Sequence, residues 1–254
     1  MIPPSIVREI DRPPRELIEA IGAFGIASLY EAYGRQGLLD PALRPLLEGR
    51  RICGPAITSL NQPGDNLMVH AAIELCAPGD VLVITTTAPS LHGMVGELLG
   101  TQARARGVAG IILDAGVRDT AELRLMELPV WARAISAAGT DKAAAGWVNV
   151  PVTCAGVAIS PGDVIVADDD GAVAIAAADL ESLLVAVTER VAREEASRQR
   201  YARGESSLDV LGLRSLLGSL GVREIVPDAA VRQESERPSG SPAASSSPAE
   251  PEGR

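Results

Sequence analysis

The chain has 254 residues, 46% hydrophobic and 22% charged, enough for a domain with its own core. Its 23 basic and 33 acidic residues leave a net charge of −10, and only 2% are aromatic; such a surface repels polyanions and offers few stacking platforms, so no nucleic-acid partner is expected. Cys53, Cys76 and Cys154 are odd in number and form no CxxC pair, and His70 and His92 are the only histidines. This argues against a disulfide scaffold, a zinc site and a multi-histidine cage, and suits a reducing cytoplasm.

The start, MIPPSIVREIDRPPREL, has no apolar run of signal-peptide type, and the longest apolar stretches (81–84, 108–113) are strand-length. A bilayer span needs about 20 apolar residues, so a soluble, cytoplasmic protein is expected. Residues 15–33 carry apolar positions at helical spacing up to Gly34, and 52–60 reads as a strand. A helix is predicted over 66–77, stopped by Pro78-Gly79, and Asp80 then opens the strand VLVITT. Residues 95–106 read as a helix ending at Gly107, followed by a strand at 108–114, a short helix at 119–126 and a strand at 129–135.

Between 147 and 175 the pattern is β-rich, with turns at Pro161-Gly162 and Asp169-Asp170-Gly171. A long amphipathic helix is predicted over 179–203, with Leu183, Leu184, Val187 and Val191 on one side, and a second over about 208–220. From Arg232 the chain is rich in Ser, Pro, Ala and Glu without large apolar residues, so 232–254 is expected to be a disordered tail. Apolar strands alternating with crossover helices, then paired strands, predict an α/β domain of mixed sheets.

The densest chemistry lies in GELLGTQARARGVAGIILDAGVRD, Gly96 to Asp119. Gly96, Glu97, Leu98 and Leu99 open a helix whose first amides have no intrahelical acceptor, a setting suited to anions. At the far end of the next strand, Arg118 and Asp119 stand side by side. A guanidinium forks a carboxylate, and one or two carboxylates plus waters is the usual Mg²⁺ arrangement. A surface ion pair with Asp119 capping helix 119–126 accounts for the same residues. Asp168-Asp169-Asp170-Gly171 lacks the spacing of a calcium loop and reads as a hairpin turn. His70 reads as structural, His92 as a functional outsider, and the cysteines as buried small hydrophobes.

Three segments, PGDNLMVHAAIELCAPGDVLV (63–83), GELLGTQARARGVAGIILDAGVRD (96–119) and PGDVIVADDDGAVAI (161–175), resemble the 4-hydroxy-4-methyl-2-oxoglutarate / 4-carboxy-4-hydroxy-2-oxoadipate aldolase family, part of the RraA-like superfamily. The resemblance covers about residues 15–222. It implies a swivelling β/β/α α/β sandwich, like phosphohistidine domains, with a core over 1–178 and a C-terminal helical extension of the same domain over 179–222. It also implies homotrimers or homohexamers with active sites between subunits, and a pyruvate-forming aldolase dependent on Mg²⁺ or Mn²⁺.

The family pattern is an acidic residue, twenty intervening residues, then Arg-Asp; here Glu97 precedes Arg118-Asp119, with Glu where many members have Asp. By resemblance, Asp119 binds the metal, Glu97 holds a metal water, and Arg118 with the Gly96–Leu99 amides grips the substrate. Glu194, with Glu195 second, matches an acidic residue that a neighbouring subunit contributes through water. Cleaving a 4-hydroxy-2-oxo acid leaves a pyruvate enolate, which a lysine stabilises as an imine or a metal as a Lewis acid. Lys142, the chain's only lysine, lies in GTDKAAAG, read as a solvated loop, so the metal route is favoured. Loss of CO₂ from oxaloacetate gives the same enolate, so decarboxylase activity is expected too. The rival reading is a non-catalytic RraA-like protein that inhibits an RNase by contact; the helices beyond 179, with Glu194, favour the enzyme. A menaquinone methyltransferase finds no support, because no glycine-rich nucleotide-type motif follows the first strand.

Overall fold

Strands 52–60 and 81–86 form almost as their patterns predict, and the elements around them extend the same alternation. In the computed structural model, which describes residues 3–225, the chain begins with β1 (Ser5–Ile6), α1 (Arg15–Gly22), α2 (Ile26–Ala32), β2 (Arg44–Pro45), β3 (Ile52–Asn61), α3 (Leu67–Leu75) and β4 (Val81–Thr86). It continues through β5 (Gly93–Val95), α4 (Glu97–Ala105), β6 (Gly110–Val117), α5 (Thr120–Leu125), β7 (Val130–Ile135) and β8 (Trp147–Val148). Then come β9 (Val152–Cys154), β10 (Val157–Ile159), β11 (Val164–Asp168), β12 (Gly171–Ile175), α6 (Leu180–Ala202), α7 (Ser207–Val210) and α8 (Leu213–Ser219). The tail expected over 232–254 lies outside the described residues.

The chain divides into two units, one ending at Ala196 and one beginning at Ser197. In the first, the main sheet runs β1-β8-β3-β4-β6-β7-β2. Its centre, β3-β4-β6-β7, is parallel, as crossover helices require. β11 pairs antiparallel with β3 and with β12, and β9 and β10 form a separate two-stranded sheet. Strands buried on both faces explain their unbroken apolar runs. One cluster packs α3, α4 and α5 against the sheet through Ile73, Leu99, Leu123 and Ile111. A second gathers Trp131, Ile112, Val83 and Ile165. A third packs α1, α2 and the start of α6 on β11 and β12 through Ile21, Leu29, Leu183 and Val187.

The observed architecture is thus a mixed α/β fold with a central sheet, helices and a C-terminal helical segment, as expected. Several boundaries move. The helix predicted over 15–33 is two, broken at Ala23-Phe24-Gly25, where Gly25 turns extended before α2. The helix predicted from 95 begins at Glu97, because 93–95 pair with β6 as a strand. The strand predicted at 108–114 runs on to Val117. Asp168 to Gly171 form a hairpin turn, as expected, with the Asp170 N–H donating to Asp168 Oδ1 at 3.0 Å.

The second unit carries the end of α6 followed by α7 and α8. The helix predicted over 208–220 is split by Gly212 at φ 66°. Ser206 caps α7 by accepting the Leu208 N–H at 3.2 Å, and Glu205 accepts from Arg200 at 2.8 Å and Arg203 at 3.2 Å.

Candidate active site

The twenty residues between Glu97 and Arg118 are closed into a loop by strand pairing. β5 runs parallel to β6, matching Gly93 with Gly116 and Val95 with Val117, and the Arg118 N–H donates to the Val95 carbonyl at 2.9 Å. That pairing sets the start of α4 beside the end of β6. Two glycines make the approach possible. A Cβ at Gly93 would lie 2.6 Å from the Ser136 carbonyl and 2.9 Å from Arg118 Cβ. One at Gly96 would lie 2.2 Å from Asp119 Oδ2, 2.9 Å from Arg118 Cγ and 3.0 Å from Arg118 Nε.

Asp119 precedes α5 but makes no side-chain bond to it. Its backbone is left-handed, at φ 51° and ψ 45°, a conformation Asp tolerates better than most residues. The carboxylate instead caps α4: the Glu97 N–H donates to Asp119 Oδ2 at 3.0 Å. The capping expected of helix 119–126 is therefore given to the other helix, where the helix dipole also favours a negative charge. The Leu98 and Leu99 amides share that first turn, where the helix itself supplies no acceptor.

Arg118 Nε stands 3.7 Å from Asp119 Oδ2, too far for a hydrogen bond. It is buried and has no hydrogen-bond partner. The Glu97 side chain accepts from Thr101 Oγ1 at 3.2 Å. Glu97 and Asp119 line one open cleft of about 560 Å³ with Arg104, Glu122, Leu125 and Met126. The three carboxylates there, Glu97, Asp119 and Glu122, are hard oxygen donors. Among the described residues, no three His, Cys, Asp or Glu side chains come together as a metal cage. The donor set therefore fits a divalent cation that keeps several waters, as Mg²⁺ does, and does not fit an all-protein cage.

The structure brings Gly96, Glu97, Leu98, Leu99, Arg118 and Asp119 together. Leu98, in the first turn of α4, and Leu125, which lines the cleft, are 80% and 85% exposed. Glu194 is elsewhere on the same chain: on α6, it pairs with Arg190 at 2.7 Å and accepts from Ser28 Oγ at 3.2 Å. Glu195 follows it on that helix. Neither lines the cleft. The His92 ring contacts Ser90 Oγ at 3.2 Å and lies over Gly64. Cys76 and Cys154 are buried and Cys53 is partly so; burial pushes the Cys53 and Cys76 thiols up to about 12, and Cys154 upward as well. They remain thiols at neutral pH, as small hydrophobes should.

Sequence reading missed Asp65 and Asn66, although both stand in the PGDN run. Asp65 is buried and accepts N–H bonds from Leu67 at 2.9 Å, Ala143 at 2.6 Å and Ala144 at 3.0 Å. Burial opposes its charge, but these donors outweigh burial and hold its carboxyl below the usual range. Asn66 Nδ2 donates to the Met94 carbonyl at 2.9 Å, bracing the strand that leads into Gly96. An Asp-Asn pair before a helix looks like ordinary capping, and nothing local distinguishes it.

A profile of the Aldolase/RraA family, described as RraA-like, matches residues 19–174. The chain is 34% identical over 179 residues to a Halalkalibacterium halodurans protein provisionally named 4-hydroxy-4-methyl-2-oxoglutarate aldolase, covering 70% of this chain and 83% of that one. A Burkholderia multivorans protein with the same provisional name is 44% identical over 140 residues, covering 55% of this chain and 85% of its own. Among solved structures, Streptomyces coelicolor RraAS2, described as an unusual member of the RNase ES inhibitor RraA protein family, superposes with a TM-score of 0.68 at 28% identity, covering 76% of this chain and all of its own. The profile covers more than half of the chain, and the Halalkalibacterium relative is covered over 83% of its length: the chain belongs to the Aldolase/RraA family.

Proposed function

We propose that the protein is a divalent-metal-dependent aldolase. It cleaves a 4-hydroxy-2-oxo-dicarboxylate or tricarboxylate, either 4-hydroxy-4-methyl-2-oxoglutarate or 4-carboxy-4-hydroxy-2-oxoadipate, and releases pyruvate. Oxaloacetate decarboxylation accompanies it. The observation that carries this reading is Asp119 turned back onto α4 beside Arg118, whose buried Nε–H lacks an acceptor. The names of the two sequence relatives supply the reaction class.

In this reading, Arg118 receives the carboxylate next to the keto group, using the N–H that has no acceptor in the chain. The Leu98 and Leu99 amides, at the positive end of α4, receive oxygens that gain charge as the carbon–carbon bond breaks. Asp119 would hold Mg²⁺ or Mn²⁺ directly, and Glu97 would hold it through water. Bound there, the cation supplies Lewis-acid stabilisation of the pyruvate fragment's charge. Glu194 reaches the site only if a neighbouring copy contributes it, also through water. The exposed Leu98 and Leu125 support such a copy, because exposed apolar side chains favour burial in an assembly. A homotrimer or homohexamer meets that need. No helix among the described residues is long and apolar enough to cross a membrane, and we place the activity in the cytoplasm.

The test is pyruvate release from 4-hydroxy-4-methyl-2-oxoglutarate and from oxaloacetate, coupled to lactate dehydrogenase, with Mg²⁺ and then with EDTA. Metal-dependent turnover of the first establishes the aldolase. Turnover of oxaloacetate alone leaves a keto-acid lyase of another substrate. Silence on both, in folded and metal-loaded protein, favours contact inhibition of an RNase, the activity named for the family of the Streptomyces structure.

A further inference from the structure

Glu97, Thr101 and Arg104 follow one another on α4 at intervals of four and three residues, so they stand on one face of that helix. The side turned to the core buries Leu99, Gly100 and Ala103. A Cβ at Gly100 would lie 2.5 Å from Leu123 Cδ2, so α4 lies close on α5 and has little room to roll. Its first amide is held by Asp119. The face that carries Glu97 is therefore fixed relative to Asp119, and what remains free is the Glu97 side chain itself.

That side chain is held from one position. The Thr101 hydroxyl donates to Glu97 Oε1 at 3.2 Å. A helical threonine commonly turns its hydroxyl to the carbonyl four residues back, as Thr188 does in α6, donating to the Leu184 carbonyl at 2.7 Å. Thr101 instead holds the side chain of the residue four back. Arg104, the cation that lines the cleft with Glu97, is seven residues on, about 10 Å along the axis, and forms no ion pair with it. Among the described residues, the Thr101 bond is the only one the Glu97 carboxylate accepts, and it leaves Oε2 without a partner.

We propose that Thr101 is a positioning residue for the divalent-cation site: it fixes one oxygen of Glu97 so that the other is free to accept from a water of the cation. This rests on the metal-dependent reading of the Glu97–Asp119 cleft. A glutamate has three rotatable bonds, and an unheld carboxylate loses that rotamer freedom when it takes up a water. Thr101 removes part of the freedom beforehand. It does so from a rigid helix, the setting in which a supporting hydrogen bond orients a metal-site group best.

The experiment measures Mn²⁺ binding to the full chain, without substrate, by the loss of the free-ion electron paramagnetic resonance signal. Thr101→Val, which removes the hydroxyl but keeps the branched shape and nearly the same helix propensity, should weaken binding about tenfold and leave metal-free urea denaturation unchanged. Thr101→Ser should restore most of the affinity. With Glu97→Ala already present, Thr101→Val should weaken binding no further; an equal loss in that background means a structural role and overturns the proposal. So does wild-type affinity in Thr101→Val, wild-type affinity in Asp119→Ala, or no binding in the wild type. Turnover keeps the two readings apart. Thr101-dependent Mn²⁺ binding without pyruvate release supports the positioning role and sinks the aldolase, whereas metal-dependent pyruvate release with an affinity indifferent to Thr101 does the reverse.

Discussion

Gly96→Ala tests how closely the candidate site is built around Asp119. Gly96 has φ −140°, so its backbone suits any residue and the consequence is purely steric. The new Cβ would lie 2.2 Å from Asp119 Oδ2, whereas real Cβ contacts essentially never fall below 3.0 Å. The carboxylate must therefore move by about 1 Å, which stretches its 3.0 Å bond from the Glu97 N–H beyond hydrogen-bond range. Losing a helix cap costs about 1 kcal/mol, and misplacing a reacting group by about 1 Å costs about 100-fold in rate. Urea denaturation should show the first effect, and coupled pyruvate release the second. A double-mutant cycle isolates the cause: with Asp119→Ala already present, Gly96→Ala should add clearly less destabilisation than in wild type, the remainder coming from the new Cβ 2.9 Å from Arg118 Cγ. Equal destabilisation in both backgrounds refutes the clash with Asp119. A control is Gly218→Ala in α8, where a Cβ meets nothing within 4 Å; it should be neutral or stabilise by up to about 1 kcal/mol.

Asp119→Asn keeps an oxygen that can cap α4 but loses the charge; stability within about 0.5 kcal/mol of wild type with metal-dependent turnover abolished is expected, and retained turnover sinks the assignment of Asp119. Arg12 donates to both oxygens of Asp80, at 2.9 and 2.7 Å, and the Asp80 side chain is 1% exposed. Arg12→Ala leaves that carboxylate with the Ala77 N–H and should cost about 2 kcal/mol in urea denaturation, less than a fully buried pair because Arg12 is a third exposed. Asp65 has a folded pKa below its ordinary 3.8, so its contribution is complete above that value and is lost as pH falls through the lower folded value. Asp65→Asn should therefore flatten the fall in thermal stability below about pH 4, and an acid limb identical to wild type contradicts the assigned anchoring.

Most of the scaffold was legible in the chain because its long elements carry their own periodicity. The β-branched runs at 52–60 and 81–86, the helices at 66–77 and 179–203, and the turn at Asp168–Gly171 all follow from local pattern. Glu97, Arg118 and Asp119 were legible because a helix start and a strand end bracket them. The short strands Ser5–Ile6, Arg44–Pro45 and Gly93–Val95 were not. Two or three residues have no measurable period, and they become strands only because a distant partner accepts their hydrogen bonds. Only the tertiary structure decided that Asp119 caps α4 instead of α5, since a left-handed residue aims its side chain by three-dimensional context. The same holds for Asp65 and Asn66, whose burial comes from packing between residues more than 70 positions apart in the chain. Composition and spacing determined which chemical groups the chain possesses and on which elements; packing determined which of them face one another.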